Sequence, residues 1–306
     1  MHPSLRLVER FDELVTRQDS QLPYDFHAMF PSDGYWTRRA SQKRLALLKK
    51  VDDALRAMLR PEERVLFLTQ AVAHSFWESY FFGLPMYYLN RRAIALTTQR
   101  LLLMQIDSRR RPRALRSEVA LGAIESFKRT ALGNVILRVA SGARQVFVSM
   151  RRRDRKGLIE LASAAIASAG AAAESRIRHL CPYCYQAVDE YPSECPNCKG
   201  AFKSWRKAGR LSLVFPGLGD IYLGHPSLAV AQVIVAGLFW LSIIAAIVFP
   251  DPKAPVQAAD LVSTVIMGFL FLHGGSALWT FHIAKKGHYP AGQVRAVAST
   301  VAPTAA

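Results

Sequence analysis

All four cysteines of this chain fall into two matching pairs, Cys181-Pro182-Tyr183-Cys184 and Cys195-Pro196-Asn197-Cys198. Two C-P-x-C pairs this close in sequence can set four thiolates tetrahedrally around one Zn²⁺, at about 2.3 Å each. No thiol remains for other work. The spacing predicts a structural zinc site on Cys181, Cys184, Cys195 and Cys198, with His179 a spare ligand that four sulfurs make redundant. In so small a unit the metal holds the fold itself, at roughly 10–16 kcal/mol.

Alone, Cys181-Pro-Tyr-Cys184 matches the active-site motif of glutaredoxins. That chemistry needs the first cysteine at a helix N-terminus inside a βαβ unit. Here Tyr185-Gln186-Ala187-Val188 is short and strand-like, and a second pair follows at once. Residues 180–202 as a whole resemble a zinc ribbon, with Gly200 serving the turn after the second pair. Lys199, Lys203, Arg206, Lys207 and Arg210 could let such a ribbon bind nucleic acid or protein. They are equally the basic collar that precedes a membrane span.

The 306 residues carry a formal charge of +17 and contain 51% apolar residues. The charge is concentrated: residues 61–179 hold 20 basic side chains against 9 acidic. That excess suits an acidic partner, either nucleic acid or anionic lipid. Two clusters stand out, Arg109-Arg110-Arg111 with Arg113 and Arg116, and Arg151-Arg152-Arg153 with Arg155 and Lys156. Both fall in predicted turns, where arginines can grip phosphate oxygens in pairs of hydrogen bonds. Arg109, Arg110, Arg111, Arg113, Arg151, Arg152 and Arg153 are therefore the candidates for anion or lipid contact. Against this stands the plain reading of solvated loops.

The apolar residues are concentrated too. No Asp, Glu, Lys or Arg occurs from Ile221 to Pro250, nor from Leu261 to Phe281. Spans over 227–249 and 261–281 measure about 34 Å and about 31 Å, enough to cross a bilayer. Basic residues border both outer ends, which places both termini in the cytoplasm by the positive-inside rule. The N-terminus has no apolar leader, in keeping with reduced cysteines. Phe215-Pro216-Gly217-Leu218-Gly219-Asp220-Ile221-Tyr222-Leu223-Gly224 resembles the entry segment of small bacterial two-helix membrane domains. In it the glycines bend the chain and Tyr222 anchors at head-group level. Asp220, His273 and His282 are ionisable groups in or near the apolar region, and Asp220 and His273 are candidates by default. Asp220 and His282 lie near the predicted helix ends, where water reaches; for His273 a helix-packing hydrogen bond is the favoured role.

Upstream, residues 3–18 and 41–60 read as amphipathic helices, the second capped by Ser41 and stopped by Pro61. Residues 20–39 look irregular. From Glu63 the period shortens: Val65–Leu68, Ala93–Leu96, Leu101–Met104, Val135–Leu137 and Val146–Val148 are β-prone runs between turns, for which Leu132-Gly133-Asn134 and Ser141-Gly142 supply the chemistry. Asp154 caps a following helix. This is the pattern of a small sandwich or partly open barrel with a helical plug. Phe76 to Tyr88, dense in aromatics, reads as a hairpin packing on the N-terminal helices, with membrane-interface contact as the alternative.

Ala95-Leu96-Thr97-Thr98-Gln99-Arg100-Leu101-Leu102-Leu103, together with Glu63-Arg64-Val65-Leu66 and Leu121 to Ile124, resembles the bacterial pleckstrin-homology-like (PH-like) domains. The resemblance implies a mainly-β fold with a C-terminal helix, similar to modules that bind lipid head groups or peptides.

The sequence thus predicts a multidomain chain. Its parts are a helical extension (1–61), a PH-like domain (62–178), a zinc ribbon (179–203), a two-helix membrane region (204–288) and a disordered tail (289–306). No phosphate-cradling loop, H-E-x-x-H or G-x-S-x-G occurs, which leans against an enzyme. The expected role is an adaptor or sensor at the bacterial inner membrane, binding a protein partner or anionic lipid through its cytoplasmic parts. The alternatives are a transport or envelope-assembly component with an oligomerising hairpin, and nucleic-acid binding through the ribbon and basic loops.

Overall fold

The computed structural model describes residues 23–30, 35–170, 174–249 and 257–292. The helix expected over 3–18, the loop at Pro250–Lys253 and the tail beyond Gly292 lie outside the described residues. The chain divides into two units, the boundary between them falling between Leu180 and Cys181.

In the first unit, runs of Val, Ile and Leu bounded by turn residues form antiparallel strands. They are β1 (Val65–His74), β2 (Arg91–Thr97), β3 (Arg100–Ile106), β4 (Pro112–Ala120), β5 (Ile124–Arg129), β6 (Val135–Val139), β7 (Arg144–Val148) and β8 (Arg178–Leu180). Their order is β5-β6-β7-β1-β2-β3-β4-β8, one continuous hydrogen-bonded antiparallel sheet. The expected turn at Ser141-Gly142 joins β6 to β7; Gly142 sits at φ +83°, a region a side chain resists. One face buries Phe67, Ile94, Leu96, Leu101, Leu103, Phe127, Leu137 and Phe147. Over that core lies a helix, Arg152–Ser168, which contributes Leu158 and Ala162.

Three local expectations need correction. The helix expected from Ser41 runs instead over Tyr35–Arg56, so Ser41 lies inside it, and the preceding stretch also holds a short helix, Phe26–Met29. We call these α1 (Phe26–Met29) and α2 (Tyr35–Arg56). The aromatic stretch is not a hairpin but two short helices, α3 (Phe76–Phe82) and α4 (Leu84–Leu89), inserted between β1 and β2. Phe76, Trp77 and Tyr80 are exposed there, about two thirds or more of each side reaching solvent at 66%, 66% and 72%. In the final helix of this unit, α5 (Arg152–Ser168), Arg151 occupies the cap position. Asp154 does not cap: it is buried in the first turn, where Arg44 Nη2 (2.7 Å) and Thr69 Oγ1 (3.2 Å) donate to its carboxylate.

The residues behind the PH-like resemblance meet in one buried ion cluster. Arg100 Nη2 and Nε donate to Glu63 at 2.8 and 2.9 Å, Nη1 donates to Glu118, and Thr97 Oγ1 donates to Glu63 at 2.6 Å. All four residues are buried. The burial that would raise the Glu63 carboxyl is outweighed by these donors, and its pKa is lowered. The motif is thus a structural clamp between the start of β1 and the β2–β3 turn.

The second unit carries the cysteines, then α6 (Trp205–Val214), α7 (Leu218–Leu223) and two long apolar helices. The first long helix, α8, is Pro226–Val248. The second runs from Ala258 to Gly287 as α9 (Ala258–Gly268), a π-helical stretch (Phe269–Gly274) and α10 (Gly275–Gly287). It is longer than the expected 261–281 because Asp260 in its first turn and Lys285 and Lys286 in its last complement the helix dipole. Both helices are long and apolar enough to cross a membrane, and Val235, Leu238, Leu241, Ile244, Leu270 and Phe271 are exposed along them.

Candidate metal centre

Each C-P-x-C pair folds into the same knuckle. Tyr185 N donates to Cys181 O at 3.0 Å, and Lys199 N donates to Cys195 O at 3.0 Å. Cys181 N donates to Gln186 O and Cys195 N to Gly200 O, both at 2.9 Å. Tyr185 and Lys199, each directly after its pair, share a left-handed backbone at φ 60° and 57°. Identical sequence spacing has produced identical loops facing one another.

The four Sγ atoms lie within 4.8 Å of one another, with Cys181–Cys198 and Cys184–Cys195 both at 3.7 Å. No disulfide links them. A regular tetrahedron with metal–sulfur bonds of about 2.3 Å has sulfur–sulfur edges of about 3.8 Å, so the donor set fits a metal ion. Tyr183 N donates to Cys181 Sγ at 3.4 Å, a bond that favours thiolate. Burial pushes the Cys181 thiol above its ordinary range, and a bound cation offsets that penalty by holding the thiolate. His179 is not part of the cluster. It lies in β8, where Nδ1 meets Ser117 Oγ at 2.9 Å.

Gly200 closes the second loop, its carbonyl accepting from Cys195 N. Its hydrogen faces the Tyr183 ring, and a Cβ there would overlap that ring. Tyr183 in turn packs edge-on against Phe202, 6.4 Å between centroids. Residues 289–292, expected in the disordered tail, instead pair with the chain just after the second cysteine pair. Lys203 N donates to Tyr289 O at 2.8 Å, and Ala291 N donates to Ala201 O at 2.9 Å. His288 Nε2 bonds the Glu190 carbonyl at 2.8 Å. The segment carrying the cysteines is thereby stitched to the chain leaving the second long helix.

No protein-family model matches this chain. A comparison with curated proteins finds no match either. The reading therefore rests on the chain's own residues.

The polar candidates of the apolar region are placed as follows. Asp220, expected near water, is fully buried. Its Oδ2 accepts from Gln232 Nε2 at 2.8 Å, and Gln232 Oε1 accepts from Ser276 Oγ at 2.5 Å, a chain linking α7, α8 and α10. Burial pushes its carboxyl up to about 6, against the pull of Trp279 and Gln232. His273 is buried in the π-helical stretch; its Nε2 accepts from Trp240 Nε1 at 3.1 Å and its Nδ1 meets Leu213 O at 3.0 Å. An indole N–H only donates and a carbonyl only accepts, which puts the His273 proton on Nδ1. This is a helix-packing role. Gly217, at φ +94°, lets the start of α7 approach Ala229 of α8, and Gly219 lets α7 approach α6 and α10, since a Cβ on Gly219 would strike Ala208 O and Ser212 Oγ. Tyr222, expected at head-group level, anchors the protein to itself: its hydroxyl accepts from Ser204 N at 3.1 Å.

Of the seven arginine candidates, Arg109, Arg111, Arg113, Arg152 and Arg153 are exposed. Arg110 and Arg151 are half-buried and line one recess with Lys43 and Arg44. Lys43 and Arg44 were not among the sequence candidates. The signal was present, because Arg44 lies four residues before Leu48 and seven before Val51, on the apolar stripe of α2.

Proposed function

We propose that this chain is a non-enzymatic protein of the bacterial inner membrane, its sheet unit and a zinc ribbon both cytoplasmic, serving as an adaptor or sensor for an anionic lipid or protein partner. The observation that carries the reading is the pairing of residues 201–203 with 289–291. The ribbon precedes the first long helix and the paired segment follows the second, so both outer ends of the hairpin are held on one side. Lys203, Arg206, Lys207 and Arg210 border the first end, and Lys285 and Lys286 the second, a bias suited to the cytoplasmic face.

Zinc is the metal we assign, because four thiolates in a tetrahedral set with no carboxylate or imidazole favour it. It would be held by Cys181, Cys184, Cys195 and Cys198 and would supply structure, not catalysis. The PH-like reading is supported by two antiparallel meanders, β1–β4 and β5–β7, joined through β1 and β7 and followed by one helix packed on their core. An anchoring hairpin is favoured over a transporting one because His273, Trp240, Gln232 and Ser276 spend their polar atoms on one another and on Leu213 and Asp220.

The test is protease treatment of intact spheroplasts expressing the full chain with an N-terminal epitope. The epitope should survive until the membrane is lysed, and the chain should stay in the membrane pellet through an alkaline carbonate wash. Cleavage in intact spheroplasts, or release by the wash, overturns the reading.

A further inference from the structure

We propose that the sheet unit binds a phosphate monoester in the recess between Lys43 and Arg44 of α2, Arg110 of the β3–β4 turn and Arg151 at the start of α5. This rests on the anion-binding reading above and names its ligand class and residues.

The two arginine clusters lie some forty residues apart in sequence, yet the fold brings one member of each to the same place. Four cations and one carboxylate, Asp154, line the recess, with Thr69 and Gln70 on its wall. Asp154 is already engaged by Arg44 at 2.7 Å. Lys43, Arg110 and Arg151 form no ion pair among the described residues, so the lining keeps an uncompensated positive charge. Like charges held together without an anion repel one another and await one. Burial lowers the Arg44 pKa against the opposing pull of Asp154, and Arg151 adds a smaller push in the same direction as burial.

A second feature points the same way. Arg44 is buried, its side chain only 6% exposed, and its Nε has no acceptor. The adjoining first turn of α5 has no side-chain cap, which leaves its leading amides without a side-chain acceptor. The recess has a cavity volume of about 10 Å³, room for one water-sized group such as a single phosphoryl oxygen, and is open to solvent at its mouth. A terminal phosphoryl group can insert one oxygen and offer the others to the rim. A diester, with ester arms on two sides, presents its charge less well to such a site. Guanidinium forks suit that tetrahedral anion.

The probes are inorganic phosphate, dihexanoylphosphatidic acid (a monoester) and dihexanoylphosphatidylglycerol (a diester), each titrated calorimetrically into the full-length protein in neutral detergent. Arg110 and Arg151 are half-exposed and form no ion pair, so Arg110→Gln with Arg151→Gln should melt as the native chain does. That pair should weaken monoester binding about tenfold or more. Arg109→Gln with Arg113→Gln should change it less than about threefold, since these side chains only add to the field. Binding of inorganic phosphate supports a free ligand as the source. Binding of phosphatidic acid alone, still lost with the first pair, supports a lipid head group. The proposal is overturned if neither monoester binds, if phosphatidylglycerol binds as well as phosphatidic acid, or if both variant pairs weaken binding equally. Equal weakening leaves loose attraction to an anionic leaflet standing, whereas a chain released by carbonate breaks the membrane reading without touching the recess.

Discussion

Tyr289, just past the second long helix, meets His225, just before the first, with Oη 2.8 Å from Nε2 and the rings edge-to-face at 5.2 Å. Both are buried. This contact closes the base of the helical hairpin. Tyr289→Phe keeps the ring and removes only the hydroxyl, and should cost about 1–2 kcal/mol. Hydrogen exchange at the Lys203 and Ala291 amides should accelerate, while amides in β1–β3 stay unchanged.

Removal of the metal should loosen the cysteine loops themselves. Cys184→Ser, or excess chelator on the native protein, should take bound zinc from one per chain to none by elemental analysis. Protease should then cut within residues 185–203, because two identical knuckles cannot hold each other without the ion that joins them.

Gly200→Ala should destabilise the ribbon by about 1–3 kcal/mol, since the added methyl must displace the Tyr183 ring from Phe202. Gly200→Ala with Tyr183→Ala removes the overlap and should restore part of the zinc affinity. A competition titration with a chromogenic chelator measures both.

Asp220 predicts a pH dependence. Its folded pKa, about 6, lies above the ordinary 3.8, so the folded chain holds the proton more tightly than the unfolded one. Its contribution is fully present below about pH 4 and is lost as pH rises to about 6, roughly 3 kcal/mol in all. Asp220→Asn should therefore melt like the native chain near pH 4 and above it at pH 7. Equal melting temperatures at both pH values would contradict the assignment.

Arg100 is the cation of a fully buried cluster. Arg100→Met leaves Glu63 and Glu118 without it and should cost about 3–5 kcal/mol. Arg100→Met with Glu63→Gln should recover much of this, as removing both charges costs less than stranding one. Urea melts followed by the sheet's far-ultraviolet signal provide the comparison.

Much of this architecture was legible from local pattern. Cysteine spacing marked the metal cluster because a knuckle is a local loop whose geometry is set by the residues between its ends. The apolar runs marked the long helices because length and absence of charge are properties of a segment alone. β-Branched runs and Ser141-Gly142 marked strands and a turn for the same reason. The aromatic stretch was misread because its length fits either a hairpin or two short helices, and only its placement between β1 and β2 decides.

Tertiary structure alone decided the meetings of distant residues. Nothing in the sequence brings Arg110 to Arg151, seats Arg100 between Glu63 and Glu118, or buries Asp220 against Gln232. The tail residues at 289–292 gained partners only because the second helix returns them to the ribbon. The sequence by itself determined which segments could be strand, knuckle or membrane helix, since those depend on neighbours along the chain. Which charges are clamped and which left facing a recess depended on packing between elements far apart in sequence, which no local pattern encodes.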